Sequence, residues 1–241
     1  MAAAMTRKWT LLAGVVLFTL GLGGVALAAF TQVADVALTV HRAAQSTGIR
    51  SDLRSSDPTA PGLKPKSAST LAITFPAGTR FNLDTPLIKT CILTNKQLTT
   101  AFGPSCPRQS QIGTGSAVAN ASPLAATVTA KVKAYVGAPN GILLVIKPTS
   151  LPGAPTILIR ATVSGSKLTI PIPQLVLGRS KGFPGVTVVL VSLKLNVRAL
   201  GSGRTALITS GRCARREFQV RERFSYRDHT TLRLTTSSPC A

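Results

Sequence analysis

The chain has 241 residues, with 28 Lys and Arg against 7 Asp and Glu, so its net charge is +21; yet only 15% of residues are charged and 44% are hydrophobic. That combination excludes a disordered polycation, which needs low hydrophobicity as well as high charge, and it leaves ample apolar material for a packed core. The length fits one domain or two small ones.

Arg7 and Lys8 precede the apolar run Thr10–Ala29, and Ala26-Leu27-Ala28 is a small-x-small site. This is the pattern of a secretory signal peptide over 1–28, cleaved after Ala28. An uncleaved anchor is the alternative, since about 20 apolar residues can span a bilayer. The four glycines in the run (Gly14, Gly21, Gly23, Gly24) and the Ala-x-Ala site favour cleavage. Residues 29–67 read as an N-terminal strand at Val36–Val40 followed by a polar, basic, proline-containing linker or loop from 42 onward, with room for one edge strand. Residues 68–241 read as the main domain.

Within that domain the pattern is strand after strand. Leu71, Ile73 and Phe75 alternate with Ala72 and Thr74, and Pro76-Ala77-Gly78 turns the chain. One short helix is expected near 95–102, where Leu98 and Phe102 lie four apart and Pro104 stops it. Ile112–Ala121 looks extended. Ala126–Val136 alternates Ala and Val on one face with Thr, Lys and Tyr on the other, the signature of a strand with one face in the core. Ile142–Ile146 is continuously apolar and reads as an interior strand. Ile157–Val163 and Leu168–Ile172 follow, the latter assigned to an edge because of Pro171 and Pro173. Val189, Val191, Leu193, Leu195 and Val197 are expected to share one face. A terminal hairpin places Phe218, Val220, Phe224 and Tyr226 inward and turns at Arg227-Asp228-His229. The expectation is an all-β protein, an antiparallel β-sandwich of about nine to eleven strands.

All four cysteines lie beyond the apolar leader, and an even count in an exported chain predicts two disulfides. Local pairing, Cys91–Cys106 and Cys213–Cys240, is favoured because each second cysteine sits beside a proline in a turn-like stretch. Zinc is the rival reading. It is set back by the absence of a C-x-x-C spacing and by only two histidines, His41 and His229, far apart in the chain. No metal or cofactor is expected.

Phe75-Pro76-Ala77-Gly78-Thr79, Cys91, Cys106-Pro107 with Ser110 and Ile112-Gly113-Thr114-Gly115, Val132-Lys133-Ala134-Tyr135, and Phe224-Ser225-Tyr226 with Cys240 form a set of short motifs. On these, residues 75–240 resemble a group of uncharacterised exported proteins of high-GC Gram-positive bacteria. The resemblance implies a secreted β-sandwich and brings no activity with it.

No Asp or Glu occurs between Asp84 and Glu217. Glycosidase chemistry generally needs two nearby carboxylates, and hard-metal sites need several oxygen ligands. A Ser-His-Asp triad would have to use His41 or His229, and both read as exposed turn residues. A secreted hydrolase is therefore the weakest reading, and no catalytic residue is assigned. Gly113-Thr114-Gly115 lacks the third glycine and the helix of a phosphate loop, so it reads as strand glycine or a bulge.

The same acid-free span carries 16 Lys and Arg. Arg221, Arg223 and Arg227 share one parity of the terminal hairpin, Arg233 stands on the returning strand, and Arg215 and Arg216 lie just upstream. These six residues are the candidate anion-binding face. Acidic wall or extracellular polymers and anionic membrane surfaces are the candidate partners. Nucleic acid ranks low, because aromatic residues for base stacking are scarce at 5%. A solvated surface whose charge serves solubility is the competing account. So is an envelope assembly protein that pairs through its sheet edges. Glu222 shares parity with the core residues, and pairing with an arginine near the sheet edge is the favoured way to accommodate it.

Overall fold

In the computed structural model, residues 31–56, 67–99, 105–122, 126–150, 154–177 and 186–241 are described. The signal peptide expected at 1–28 and residues 100–102 of the expected helix lie outside them. The strands are β1 (Thr31–Leu38), β2 (Ile49–Ser56), β3 (Ala68–Thr74), β4 (Arg80–Phe81), β5 (Gln111–Ser122), β6 (Ala126–Gly137), β7 (Gly141–Pro148), β8 (Ile157–Ser164), β9 (Lys167–Pro171), β10 (Leu175–Leu177), β11 (Val186–Val197), β12 (Ile208–Thr209), β13 (Glu217–Tyr226) and β14 (Thr231–Pro239). One helical turn, α1 (Asn95–Thr99), occupies the expected place.

The protein is all-β and antiparallel, as its alternation predicts. Eleven strands pair in the order β1-β2-β11-β5-β6-β7-β8-β9-β3-β13-β14, with β10 on β11 beside that path. The halves that face each other belong to one unbroken sheet, rolled into a nearly closed barrel. Its two edge strands meet where the Thr236 hydroxyl on β14 donates to the Ala34 carbonyl on β1 at 3.0 Å. Past the strand ends the Ala241 N–H donates to the His41 carbonyl.

Curvature has local causes. The ladders shift register at Val191 on β11, at Ile112 on β5, and at Ser69 on β3, opposite Ser225 and Tyr226 of β13. Such bulges bend a strand and increase its twist. At Gly113 and Gly115 a β-carbon would collide with the β11 carbonyls of Asn196 and Lys194. Here glycine lets two strands of the rolled sheet approach closely, which bears out the strand-glycine reading over a phosphate loop.

Three strands depart from expectation. β2 lies in the stretch read as linker, yet it pairs with both β1 and β11 and is interior. Its inward face is Ile49, Ser51, Leu53 and Ser55, all buried, and two serines in four hide the apolar period. β9 is also interior, between β8 and β3. Pro171 is tolerated because the β8 ladder has already ended at Thr169 and the proline closes its strand. On β11 the bulge at Val191 switches phase, so Val188 and Leu190 face inward before it and Leu193 and Val197 after it.

One core fills the barrel, drawn from the inward residues of the long strands. Beneath it, β4 pairs with β12, and Leu83, Ile88, Leu207 and Ile208 plug one end. A second, smaller core lies outside the sheet, where Cys91, Cys106, Leu93 and Leu98 cover Tyr135, Leu143, Val145 and Leu158. That cover explains why β7 is apolar on both faces. Arg160 fastens it, donating from Nε to Asn95 Oδ1 at 3.0 Å and from Nη2 to the Leu93 carbonyl at 2.8 Å. The disulfides are Cys91–Cys106 and Cys213–Cys240, with no free cysteine. Two such bridges suit an oxidising compartment. Among the described residues no helix is long and apolar enough to cross a membrane.

Candidate functional site

β13 alternates cleanly. Phe218, Val220, Glu222, Phe224 and Tyr226 are buried, while Arg221 and Arg223 stand exposed on the other face. Register then decides what each arginine meets. Arg223 lies directly opposite Arg233 on β14 and Ala72 on β3; Arg221 lies opposite Thr235 and Thr74. Thr74 is in turn opposite Lys167 on β9. Strands are spaced about 4.8 Å apart, so Lys167 joins the patch roughly 10 Å from Arg221. Between the cations stand only Thr and Ala side chains.

Like charges directly opposite each other repel, and among the described residues no carboxylate forms an ion pair with Arg221, Arg223 or Arg233. Two surface ion pairs lie elsewhere, around Asp52. Arg54 Nη2 is 2.7 Å and Lys194 Nζ 3.6 Å from Asp52 Oδ2. The Arg54 hydrogen bond, above all, holds that carboxyl below its ordinary range.

The structure separates the six predicted arginines into three places. Arg221, Arg223 and Arg233 form the patch. Arg227 sits past the far end of β13, with Nη2 3.5 Å from the Ile172 carbonyl. Arg215 and Arg216 occupy the turn before β13, both with left-handed φ, +55° and +61°. That turn is closed by the Glu217 N–H donating to Ala214 at 3.0 Å, and the Cys240 N–H donates to Arg216 at 2.9 Å. Ten residues of strand, roughly 30 Å, separate the two ends. Lys167 was missed because β9, β3 and β13 come from distant parts of the chain and no local pattern links them. Arg80 and Arg204 also escaped the site reading; with Arg212, which stands just upstream of the hairpin with Arg215 and Arg216 but was not among the six, they line an open groove of ≈ 810 Å³ at the plugged end, beside Gly78, Gly203 and Gly211.

Glu222 does point inward, but its partner is no arginine. It is 1% exposed. Its Oε1 is 3.2 Å from Thr236 Oγ1, the same hydroxyl that lies 3.0 Å from the Ala34 carbonyl. A hydroxyl has one hydrogen and a carbonyl only accepts. The single hydrogen of Thr236 cannot fully serve both acceptors, and a Glu222 that carries a proton can donate back toward Thr236, leaving the hydroxyl to the Ala34 carbonyl. Burial, opposed by Thr236 and reinforced by the Asp35 charge, lifts this carboxyl from 4.5 to about 7. Oε2 has no partner among the described residues. Tyr226, further along the same face, is pushed up to about 12, by burial first and by Asp228 second.

His41 Nδ1 lies 3.0 Å from the Pro239 carbonyl at the plugged end, while His229 is exposed in the β13–β14 turn with φ +65°. Asp228 caps that turn, accepting from the Thr230 hydroxyl at 2.6 Å and its N–H at 3.1 Å. Among the described residues no cluster of three or more His, Cys, Asp or Glu gathers to hold a metal. Comparison of the chain with protein-family models, curated proteins and solved structures finds no match.

Proposed function

We propose that this is an exported, non-catalytic β-barrel protein of the cell envelope or extracellular space that binds acidic polymers through its basic exterior. The observation that carries the reading is the Arg221, Arg223 and Arg233 patch, exposed and without a carboxylate partner among the described residues. Guanidinium forks match the oxygens of carboxylate and phosphate, and holding like charges side by side makes a passing polyanion their natural neutraliser. The N-terminal signal pattern and the two disulfides support export. Assembly through free sheet edges has less to work with, because β1 and β14 face each other.

Retention of the purified protein on heparin or on a wall polymer across a salt series tests this. Replacing Arg221, Arg223 and Arg233 together with Ser should lower retention and reduce the salt slope by up to about three counterion equivalents. Folding should be nearly unaffected, since each outward substitution costs within about 0.5 kcal/mol. Equal binding by the triple variant would reduce the charge to a general property of the surface.

A further inference from the structure

At the plugged end three arginines from three segments line one open groove of ≈ 810 Å³. Arg80 stands on β4, Arg204 in the single-turn 3-10 helix Gly203–Thr205, and Arg212 just after β12. All three are exposed. Hydrogen bonds tie their backbones together. Arg80 lies opposite Thr209 in the β4–β12 ladder, Asn82 Nδ2 donates to the Arg204 carbonyl at 3.0 Å, and the Arg212 N–H donates to the Ala77 carbonyl at 2.8 Å. Gly211 permits that last approach, since a β-carbon there would stand 2.6 Å from the Pro76 and Ala77 carbonyls. Among the described residues none of the three guanidinium groups has a hydrogen-bond or ion-pair partner.

The chain's 7 acids are few enough to follow. Among the described residues none lines the groove. Asp84 and Glu217 border neighbouring hollows, beside Arg80 and Arg212 respectively, and form no ion pair with them. Asp35 and Asp52 face each other on β1 and β2, Glu222 is inside the barrel, and Asp228 caps the β13–β14 turn. Asp57 lies outside the described residues. Ser56 before it closes β2 at the end away from Thr47, whose N–H donates to the Ile208 carbonyl at the plug.

We infer that this groove binds a compact anion carrying two or more phosphate or carboxylate groups. A row of arginines along a strand face suits a polymer that lies across it. Three guanidinium groups set around a hollow by three segments suit a small ligand charged on several sides. The groove's volume falls within the range of about 300–1,000 Å³ usual for small-molecule sites, and with three cations in its lining charge supplies the affinity. Guanidinium forks donate in pairs to phosphate or carboxylate oxygens. A singly charged anion would leave two of the three arginines unmet. Backbones already fixed to one another reduce the ordering that binding must impose. The proposal goes beyond the polymer-binding reading, since Arg221, Arg223 and Arg233 lie outside the groove.

Calorimetric titration of the purified protein with pyrophosphate, and in parallel with citrate, at constant low ionic strength tests this. Saturable binding of one equivalent per chain is expected, and the tighter of the two probes names phosphate or carboxylate. Acetate, with one charge, should bind far more weakly than the better probe. Arg80→Ser and Arg204→Ser should each weaken binding roughly fivefold to tenfold, between the effect of an exposed ion pair and that of a buried charge-assisted bond. Folding should survive both, because each side chain is exposed and Asn82 holds the carbonyl of Arg204 rather than its guanidinium. Ala43→Glu places a carboxylate in the groove and should weaken binding with all three arginines kept. Serine at Arg221, Arg223 and Arg233 should leave pyrophosphate and citrate binding unchanged while polymer retention falls, so the two readings fail separately. Absence of saturable binding of both probes, acetate bound as tightly as the better probe, or equal losses from the groove and the β13–β14 variants overturns the inference.

Discussion

Raising the pH from about 4 to about 8 should remove about 3 kcal/mol of folding stability through Glu222. The carboxyl is ordinary at 4.5 when the chain is unfolded and sits at about 7 in the barrel. Between those values the folded state holds a proton that the unfolded state has released. Stability then falls as pH rises, by the sign of the proton difference. Below 4.5 both states are protonated and the penalty is absent; above about 7 both are ionised and the loss is complete. At about 1.4 kcal/mol per pKa unit the full loss is about 3 kcal/mol. A domain of this length moves by roughly 2–4 °C per kcal/mol, so the thermal midpoint should drop on the order of 10 °C across the interval. Urea unfolding at half-unit pH steps measures the free energy directly. Glu222→Gln keeps the shape and supplies a permanent donor toward Thr236, so its stability should be flat over the same range and exceed the wild type at about pH 8. A flat wild-type profile, or a glutamine variant that keeps the slope, would refute the account.

The seam itself is open to test. Thr236→Val removes the hydroxyl from both the Ala34 carbonyl and Glu222, which should cost about 1–3 kcal/mol and speed amide exchange along β1 before the rest of the barrel. Gly115→Ala forces a β-carbon against the Lys194 carbonyl; overpacking of this kind should lower stability by about 1–3 kcal/mol, visible as a reduced denaturation midpoint. Replacing Cys213 and Cys240 with Ser opens a loop of 27 positions and should cost about 3 kcal/mol on the chain-entropy account. Differential scanning calorimetry of the two proteins compares them.

The readable part of the fold was the part with strict alternation. β6 and β13 were legible because valine, alanine and phenylalanine alternate with lysine, threonine and arginine, and pleating converts that period directly into inside and outside. β2 was not, because Ser51 and Ser55 are buried where the pattern asks for apolar side chains. β9 was misplaced because Pro171 lowers a strand's prospects only where a ladder needs its N–H, and the β8 ladder stops short of it. The bulge on β11 reversed the facing of residues upstream of Val191, which no composition signals. Of the candidate site, the parity of Arg221 and Arg223 was legible locally. Their pairing with Arg233 followed from the hairpin, whereas Lys167 required β9 and β3 to arrive from elsewhere in the chain. Glu222 was legible as inward, but its partner was not, since Thr236 is a small hydroxyl with no distinguishing context in the sequence.

The same pleat that gathers cations outside β13 also isolates the exception inside it. Glu222 stands between Val220 and Phe224 on the buried parity, opposite Ile73 on one neighbour and Leu234 on the other, so no outward arginine can reach it without crossing the sheet. A charge there is uncompensated, which is why the group must be neutral for the barrel to close well. The proton it keeps lies at the junction of β14 with β1, where among the described residues no ladder pairs the two strands. The Thr236 hydroxyl, the Ala34 carbonyl and the Glu222 carboxyl thus meet at the seam, where a protonated acid can donate toward Thr236 and an ionised one cannot. Glu222 departs in charge from what its inward parity would otherwise demand, and a one-residue shift of register would place it on the solvent side and remove its effect.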